Sequence, residues 1–257
     1  MTDFAFFFTD DRVVSFILLF IRVGAIFVFF PFFSAATIYP AVKGAIAFLL
    51  AVAFYPILPP LGFAINGANV MTAIFSELLF GFAAGFVLHL VFGAVQYAGE
   101  QISFAMSFSM AATMDPQTES NSTMITQFLY MIAILLFLAL DGHHLVLLFF
   151  AKSLTAAPLG LALFTADFAR YAIKGFAWLF TLGVMIAFPI TALSLLSDII
   201  FGMIMKTVPS FNLLVVGLPA RILLAFLVLT ATMASFAFVF QKEFQRAYNA
   251  LAPLFFQ

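Results

Sequence analysis

The sequence predicts an all-α, membrane-associated protein, with about six long hydrophobic helices arranged as hairpins and assembling with partner subunits. Of its 257 residues, 65% are hydrophobic and 8% are charged, whereas soluble domains have about 45–50% apolar and about 25% charged residues. Phenylalanine alone accounts for 39 residues, which is more apolar surface than one soluble core of this size can cover. The hydrophobic runs lack the period-two alternation of membrane β-strands, so we predict that they are helical.

Six uncharged or nearly uncharged runs are long enough to cross about 30 Å of hydrocarbon, which takes about 20 helical residues. The first extends from Val13 to Phe33 and contains one charge, Arg22. The second follows Lys43 and ends at the Pro59-Pro60 pair, which cannot continue a helix. These two runs are predicted to form a hairpin.

The other four hydrophobic runs occupy the rest of the chain. They extend from about Val70 to Gly99, from Met124 to about Ala151, from Gly175 to Ser197 with an extension to Met205, and from about Leu213 to Gln241. In the third run, Gly81 and Gly85 form a small-xxx-small pair, which lets two helix backbones approach closely. Because no polar block is long enough to fold alone, residues 1–257 are predicted to form a single membrane-integral domain.

Composition and motifs exclude several classes of function. A net charge of -1 provides no basic field for nucleic acid. The absence of cysteine removes thiol catalysis and thiolate metal sites. The sequence also has no nucleophile elbow, phosphate-binding loop or dinucleotide fingerprint. We therefore expect no enzymatic activity, no cofactor and no nucleic-acid partner.

Six ionisable side chains fall within or beside the hydrophobic runs, where each costs about 2.5–3.5 kcal/mol on insertion scales unless it finds a partner or reaches the surface. Three are acidic and three are basic: Glu77, Glu100, Asp198, Arg22, Lys206 and Arg221. Arg22 has no acidic residue within two turns of its own helix, so its partner is expected from another helix or another chain. The sequence leaves mutual pairing and a proton or ion pathway open, and it favours structural pairing.

The segment Asp141-Gly142-His143-His144 looks like a cluster of metal ligands. Adjacent histidines on a helix, however, point about 100 degrees apart, and the H-E-x-x-H spacing of zinc-binding helices is missing. We predict a turn or a buried polar contact here, and no metal or haem site.

The chain between the third and fourth runs is neither an ordinary loop nor a crossing helix. Gln101 to Met114 is uncharged but too short to span a bilayer, and Asp115-Pro116 stops any helix, which indicates a re-entrant or interior segment. It carries regularly spaced apolar side chains, namely Phe104, Met106, Phe108, Met110 and Met114. These could form a deformable seal in a conduit or a stripe packed against neighbouring helices, and residue type alone favours the stripe.

The stretch Val208 to Pro219, V-P-S-F-N-L-L-V-V-G-L-P, resembles the signature of the FliR family of flagellar biosynthetic proteins and their injectisome counterparts, the R-type subunits of the type III secretion export gate. Further matches in order and spacing are Gly99-Glu100-Gln101-Ile102, Asp115-Pro116-Gln117, Asp141-Gly142-His143, Arg22 with Pro31, and Pro40 before Lys43. The resemblance covers essentially the whole chain. Its most specific part is the constellation of Pro209, Asn212, Gly217 and Pro219.

The resemblance implies a non-enzymatic subunit that assembles with FliP and FliQ into the entry portal of an export channel, alongside FlhA and FlhB. Unfolded flagellar subunits would pass through this channel. The location it implies is the bacterial inner membrane at the flagellar basal body, in contact with membrane lipid. In this family the hydrophobic helices are largely buried against partner subunits and need not all cross lipid.

The resemblance also implies roles for individual residues. The segment after the third hydrophobic run acts as a plug in such proteins, which makes Phe104, Met106, Phe108, Met110 and Met114 channel-lining residues and reverses the preference from residue type. The resemblance further implies structural or partner-contact roles for eight residues: Arg22, Glu100, Asp115, Pro116, Pro209, Asn212, Gly217 and Pro219. Two alternatives remain: an injectisome export-gate homologue, and a small-solute secondary transporter, motivated by intramembrane charges and by proline-broken helices at Pro31 and Pro189.

Overall fold

The computed structural model describes residues 11–30, 39–107, 123–160, 166–208 and 212–256. These residues are almost entirely helical and include no β-strand, which confirms the predicted all-α class. The α-helices among them are α1 (Asp11–Phe29), α2 (Pro40–Phe54), α3 (Gly67–Ala105), α4 (Met124–Ala139), α5 (Gly142–Ala156), α6 (Ala166–Thr207) and α7 (Leu218–Phe255). A 3-10 turn, Tyr55–Ile57, follows α2, and a π-helical turn, Leu213–Gly217, precedes α7.

Helices α1 and α2 pack against each other as the predicted hairpin. Pro40 occupies the first turn of α2, where its missing N–H would have had no helical partner. Phe16 of α1 meets Phe48 of α2 edge to face, with ring centroids 5.7 Å apart. Aromatic side chains therefore form part of the contact between the two helices.

Helix α3 is longer than the third hydrophobic run predicts, because it continues through Gln101 to Ala105. The sequence separates these residues from the third run as part of a re-entrant or interior segment, whereas they continue α3 without a break. No proline or glycine interrupts the helix here, and the polar side chains of Glu100 and Ser103 find hydrogen-bond partners. The backbone turns at Ser107, whose φ of 64° is left-handed.

The fourth hydrophobic run is two helices rather than one. Helices α4 and α5 meet at Leu140 and Asp141 and are bent by 63° relative to each other. Asp141 has a left-handed φ of 53°, a conformation that ends a helix and that aspartate tolerates better than most residues. The predicted turn at this position is confirmed, and the uninterrupted run to Ala151 is corrected.

Within the described ranges, five helices are long and apolar enough to cross a membrane, or six if the bent pair α4 and α5 counts as one span. In the most apolar stretch of α3, 67% of the residues are buried within the chain. The corresponding values are 28% for α6, 17% for α7 and 11% for Pro40–Ile57. Most residues in the apolar stretches of these three helices are therefore at least partly exposed.

Contacts divide the chain into two compact units. The first comprises the described residues within 1–90, 141–175 and 244–257. Its core includes Phe80, which packs on Phe149 and Phe255 with centroid separations of 6.1 and 4.9 Å. The prediction of a single domain over the whole chain remains a prediction.

Close backbone approach in the first unit occurs where the small-residue pair predicts it. A Cβ atom on Gly81 would lie 2.8 Å from the backbone carbon of Ala25, and one on Gly85 would lie 2.8 Å from that of Phe29. These distances leave no room for a side chain. Gly81 and Gly85 thus allow α3 to pack directly against the α1 backbone.

The second unit comprises the described residues within 91–140 and 176–243. Phe92 lies at its centre and meets Tyr130, Phe137 and Phe240 edge to face, with centroid separations between 5.5 and 6.0 Å. Phe92, Phe137 and Phe240 are all almost completely buried. Aromatic packing between α3, α4 and α7 forms this core.

Candidate functional site

Arg22 forms a completely buried ion pair with Glu77 in the first unit. Its Nε donates to Glu77 Oε2, and its Nη2 donates to Glu77 Oε1 over 2.9 Å. This two-point geometry matches the planar guanidinium to the planar carboxylate. The sequence requires a partner for Arg22 from another helix or another chain, and α3 provides it.

The same pair also holds the end of α5. Arg22 Nη1 donates to the carbonyl oxygens of Ser153 and Ala157, over 3.1 and 2.8 Å. The N–H of Gly160 donates to Glu77 Oε1 over 2.6 Å. The carbonyl group of Ser153 also accepts from the N–H of Ala157 over 2.9 Å. The carbonyl group of Ala157 lies just beyond the helix end, where helical partners are missing, and Arg22 donates to it. The pair therefore connects α1, α3 and the chain that follows α5.

Glu100 is the centre of a second polar cluster, which lies in the second unit. Its Oε1 accepts hydrogen bonds from Thr126 Oγ1 over 2.8 Å and from the N–H of Thr123 over 3.3 Å. The hydroxyl groups of Ser103 and Thr123 also bond to each other. A Cβ atom on Gly99 would lie 2.6 Å from the Cα of Thr126. The C-terminal part of α3 and the start of α4 are thus closely joined.

Arg221 is the centre of a third cluster, also within the second unit. Its guanidinium group donates to Ser194 Oγ, to Asp198 Oδ2 over 3.0 Å and to Ser107 Oγ over 3.4 Å. Mutual pairing therefore accounts for four of the six charges noted in the sequence, as Arg22 with Glu77 and Arg221 with Asp198. Their arrangement as separate satisfied pairs is typical of structural ion pairs rather than of a continuous proton pathway.

The signature segment forms the entry to α7. Asn212 Oδ1 accepts from the N–H of Val215 over 3.3 Å, and its carbonyl accepts from the N–H of Val216 over 3.0 Å. Pro219 is the second residue of α7, directly after the π-helical turn Leu213–Gly217. Side-chain space is limited at Gly217, because a Cβ atom there would lie 3.3 Å from Leu213 Cγ. Pro209 lies outside the described residues.

The structure describes only the first two of the predicted plug residues, Phe104 and Met106. Phe104 lies near the end of α3 with 73% of its surface exposed, whereas Met106 is completely buried. The remaining candidates lie outside the described residues: Phe108, Met110, Met114, Asp115 and Pro116. Of the two plug candidates that the structure describes, Phe104 is placed where it could meet a channel or a partner, and the plug remains a prediction.

The segment at the start of α5 brings three metal-ligand types together. Ligand atoms of Asp141, His143 and His144 lie within 4.8 Å of one another. Asp141 and His144 are exposed, while the Nδ1 atom of His143 is buried and has no hydrogen-bond partner. A cation here would meet the positive end of the α5 dipole, which weakens the case for metal binding. The absence of a metal site remains a prediction.

An apolar cavity of about 180 Å³ lies beside Pro189 in the second unit. Most of its wall is hydrocarbon, contributed by residues such as Ile102, Leu129, Ile190, Leu229 and Phe236. Thr232 and Ser235 add hydroxyl groups, and none of the lining residues is ionisable. The cavity therefore lacks the charged groups that a site for a charged solute requires.

The sequence interpretation missed the neutral partners of the charged residues. Thr123 and Thr126 hold Glu100, Ser194 holds Arg221, and backbone carbonyls hold Arg22. Thr123 had a detectable signal, because a threonine just before an apolar run is a typical helix N-cap. It does cap α4, since its hydroxyl accepts from the N–H of Thr126. Nothing in the sequence identifies Ser194 among the other serines.

Comparison with known proteins gives consistent matches over almost the entire chain. The family described as bacterial export proteins, family 1, matches residues 13–247. The flagellar biosynthetic protein FliR of Bacillus subtilis is 34% identical over 249 residues, which is 95% of both chains. FliR of Caulobacter vibrioides is 29% identical over 89% of this chain and 92% of its own. FliR of Escherichia coli K12 is 26% identical over 91% of this chain and 90% of its own.

Proposed function

Because this chain belongs to family 1 of the bacterial export proteins, the family of the flagellar biosynthetic protein FliR, we propose that it is a non-enzymatic subunit of the flagellar type III protein export gate. The observation that carries the proposal is the match to the FliR of Bacillus subtilis along 95% of the chain. The predicted membrane association agrees with five to six apolar helices long enough to span a bilayer. The chain is accordingly a membrane component of a protein export apparatus.

The exposed apolar helices support assembly with other hydrophobic chains. In α7, only 17% of the most apolar stretch is buried within the chain, and Leu223, Leu227 and Phe238 are each more than 60% exposed. Such surface must be covered by lipid or by protein. We propose that FliP and FliQ cover much of it in a hetero-oligomer, with FlhA and FlhB nearby and lipid covering the remainder.

The proposed location is the inner membrane at the flagellar basal body, and the proposed cargo is unfolded flagellar subunits. Passage of an unfolded chain requires a conduit that closes around diverse side chains. Methionine and phenylalanine suit this task because they are apolar, and methionine adapts its shape easily. We therefore propose that Phe104, Met106, Phe108, Met110 and Met114 contribute to an apolar plug that helps to close the channel.

Co-purification tests the assembly. The chain is expressed alone and together with the P-type and Q-type subunits from the same genome, and the intact mass of each preparation is measured. We expect a stable, monodisperse particle only in the presence of both partners. A monodisperse single chain that takes up a small solute with saturation would contradict the export-gate proposal and favour a transporter.

Deletion and complementation test the assignment to flagella. Loss of the gene is expected to abolish motility and the secretion of flagellar subunits, and the wild-type gene should restore both. Unchanged motility together with lost secretion of injectisome substrates would assign the chain to an injectisome instead. Expression of the other export components is measured in parallel, so that indirect loss of the apparatus is recognised.

Ion conductance tests the plug. A variant with Met106, Met110 and Met114 replaced by serine is reconstituted with its partners, and its conductance is expected to rise above that of the wild-type complex. A control for the number of methionines lost replaces three exposed methionines by serine, namely Met71, Met131 and Met203, which are 69%, 63% and 67% exposed. Wild-type conductance in an assembled plug variant would show that these methionines do not close the channel.

A further inference from the structure

Helix α7 presents a regular stripe of exposed residues in the second unit. Its buried residues, such as Leu229 and Phe236, belong to the core. On the other side of the helix, exposed positions recur at alternating spacings of three and four residues, and we call these six residues the α7 seam: Leu224, Leu227, Ala231, Ala234, Phe238 and Gln241. A spacing of about 3.5 residues is the pattern by which one helix packs along another.

The sizes of the seam residues favour a helix as their cover. Leu227 is 69% exposed and Phe238 is 68% exposed, whereas Ala231 and Ala234, which lie between them, are small and also exposed. Small residues in the middle of a stripe let a second helix backbone approach closely. Lipid chains are as apolar as leucine side chains and gain nothing from this pattern of sizes. The seam therefore suits a packed helix better than fluid hydrocarbon.

The seam ends in polar residues. Gln241 is its last member, Lys242 follows, and both side chains are exposed. Among the residues that the structure describes, Lys242 has no ion-pair partner. Glutamine side chains hydrogen-bond across helix pairs, and a cation beside an apolar contact favours an acidic residue on the covering chain. Charge complementarity therefore favours a protein partner with a carboxylate at this end.

An apolar cavity lies beside the seam. The cavity of about 180 Å³ at Pro189 is lined in part by Ser235, which directly follows the seam residue Ala234. It reaches the surface, because Ser235 is exposed and Met185, on its α6 side, is 61% exposed. An engineered apolar cavity of about 150 Å³ binds benzene. The Pro189 cavity can therefore hold one large apolar side chain of a helix on the seam, as at binding hot spots.

We propose that the α7 seam docks an apolar helix of a different chain, which places one large apolar side chain in the Pro189 cavity and an acidic residue beside Lys242. This inference rests on the proposed function, in which partner subunits cover the apolar helices, and it gives the chemistry of one such contact. Lipid has no fixed side chain for the cavity. The seam itself has no acidic residue, so a second copy packed through the same seam would leave Lys242 without one.

Photo-cross-linking identifies the occupant of the seam. The chain contains no cysteine, so a photoreactive label can be attached at Leu227→Cys in the complex assembled with the P-type and Q-type subunits. We expect an adduct with a different chain of the complex, and peptide mapping should locate it in an apolar helix that carries an acidic residue. Adducts with lipid alone, or with a second copy of this chain alone, overturn the inference.

Two double variants separate helix packing from contact with lipid. Ala231→Leu/Ala234→Leu fills the space that the partner backbone needs, so recovery of the cross-linked subunit should fall by about tenfold. Ala231→Ser/Ala234→Ser keeps both side chains small and should recover that subunit like wild type. The amount of the chain in the membrane shows whether each variant folds, and Ala234→Leu alone replaces the leucine pair if that pair is degraded. Unchanged recovery in a folded leucine variant overturns the inference.

Charge reversal tests the polar end of the seam. Lys242→Glu is expected to lower recovery of the cross-linked subunit several-fold, and exchange of the mapped acidic residue for lysine should restore it. Lys206→Glu is the matched control, because Lys206 is another exposed cation of the second unit. Equal recovery of the subunit in both variants overturns the inference that an acidic residue faces Lys242.

The wild-type complex distinguishes failure of this inference from failure of the proposed function. If the wild-type chain recovers its partner subunits and the seam variants recover them equally well, the inference about the seam fails and the proposed function stands. If the wild-type chain is monodisperse alone and its deletion leaves motility and secretion intact, the proposed function fails, and the inference fails with it.

Discussion

Arg22 and Glu77 are 55 residues apart in the sequence and form an ion pair in which both side chains are completely buried. The guanidinium group of Arg22 also lies 4.6 Å from the ring centroid of Phe80, which covers it with an aromatic face. A buried charge is tolerated when its partner and its remaining hydrogen bonds are all present. Here the carbonyl groups of Ser153, in the last turn of α5, and of Ala157, just after it, complete the set together with the N–H of Gly160.

Removal of one member of this pair should destabilise the first unit strongly. Arg22→Leu or Glu77→Leu leaves an uncompensated buried charge, which costs about 3–5 kcal/mol. Thermal unfolding of the purified complex should show the loss, together with lower recovery of partner subunits. Lys174→Leu is the control, because Lys174 is an exposed cation. Normal stability and co-purification in Arg22→Leu would exclude both its structural role and its predicted contact role.

The double variant Arg22→Leu/Glu77→Leu should recover part of the stability lost in the single variants. It removes both charges, and a buried ion pair replaced by apolar residues is often neutral. The carbonyl group of Ala157 and the N–H of Gly160 then lose these partners, so recovery is expected to be incomplete. Double-mutant-cycle analysis of the unfolding free energies gives the interaction free energy between Arg22 and Glu77. If the losses of the two single variants simply add in the double variant, the pairing is refuted.

Alanine substitutions should reveal the close approach of α1 and α3. Gly81→Ala and Gly85→Ala place a methyl group against the backbone of Ala25 and Phe29, and overpacking of this kind costs about 1–3 kcal/mol. Gly24→Ala is the matched control on the opposite helix, because nothing lies within 4 Å of its Cβ position. Gly24→Ala is expected to be stabilising by about 0.5–1 kcal/mol, since alanine favours the helix. Equal melting temperatures for all three variants would contradict this packing.

Two variants of Glu100 should show whether the hydrogen bonds that this residue accepts or its negative charge holds the Glu100 cluster together. Glu100→Gln keeps a side-chain oxygen that can accept from Thr126 and Thr123, whereas Glu100→Ala leaves their donors unsatisfied. Loss of these acceptors costs about 1–3 kcal/mol. We therefore expect faster hydrogen exchange at the start of α4 in Glu100→Ala than in Glu100→Gln. Equally fast exchange in both variants would show that the charge, not the acceptor, holds the cluster.

In the signature segment, alanine substitution should be destabilising at Asn212 and tolerated at Gly217. Asn212→Ala removes an acceptor for the N–H of Val215, and loss of such a cap costs about 1 kcal/mol. A methyl group at Gly217 would meet the Leu213 side chain, whose end can rotate away, so Gly217→Ala should cost less than Gly81→Ala. Gly202→Ala, with nothing within 4 Å, is the control. Thermal unfolding of the three variants checks this order.

Local chemistry explains why helix number, hairpins and turns were largely predictable. Uncharged runs identify long helices, Pro40 marks the start of α2, and Gly81 with Gly85 mark a close helix contact, because each effect acts over a few residues. Helix ends were less predictable. α3 passes through Glu100 because Thr126 on another helix satisfies the carboxylate, and no local signal reports that contact.

The sequence by itself determined that this protein is helical, that it is too apolar to remain in water, and, through its signature segments, to which family it belongs. These properties depend on composition and on the order of residues along the chain. Tertiary structure alone decided which partner each charged side chain meets, for example Glu77 for Arg22 and the Ser194 hydroxyl group for Arg221. Pairing between distant residues depends on how the helices pack, and many packings satisfy the same hydrophobic pattern.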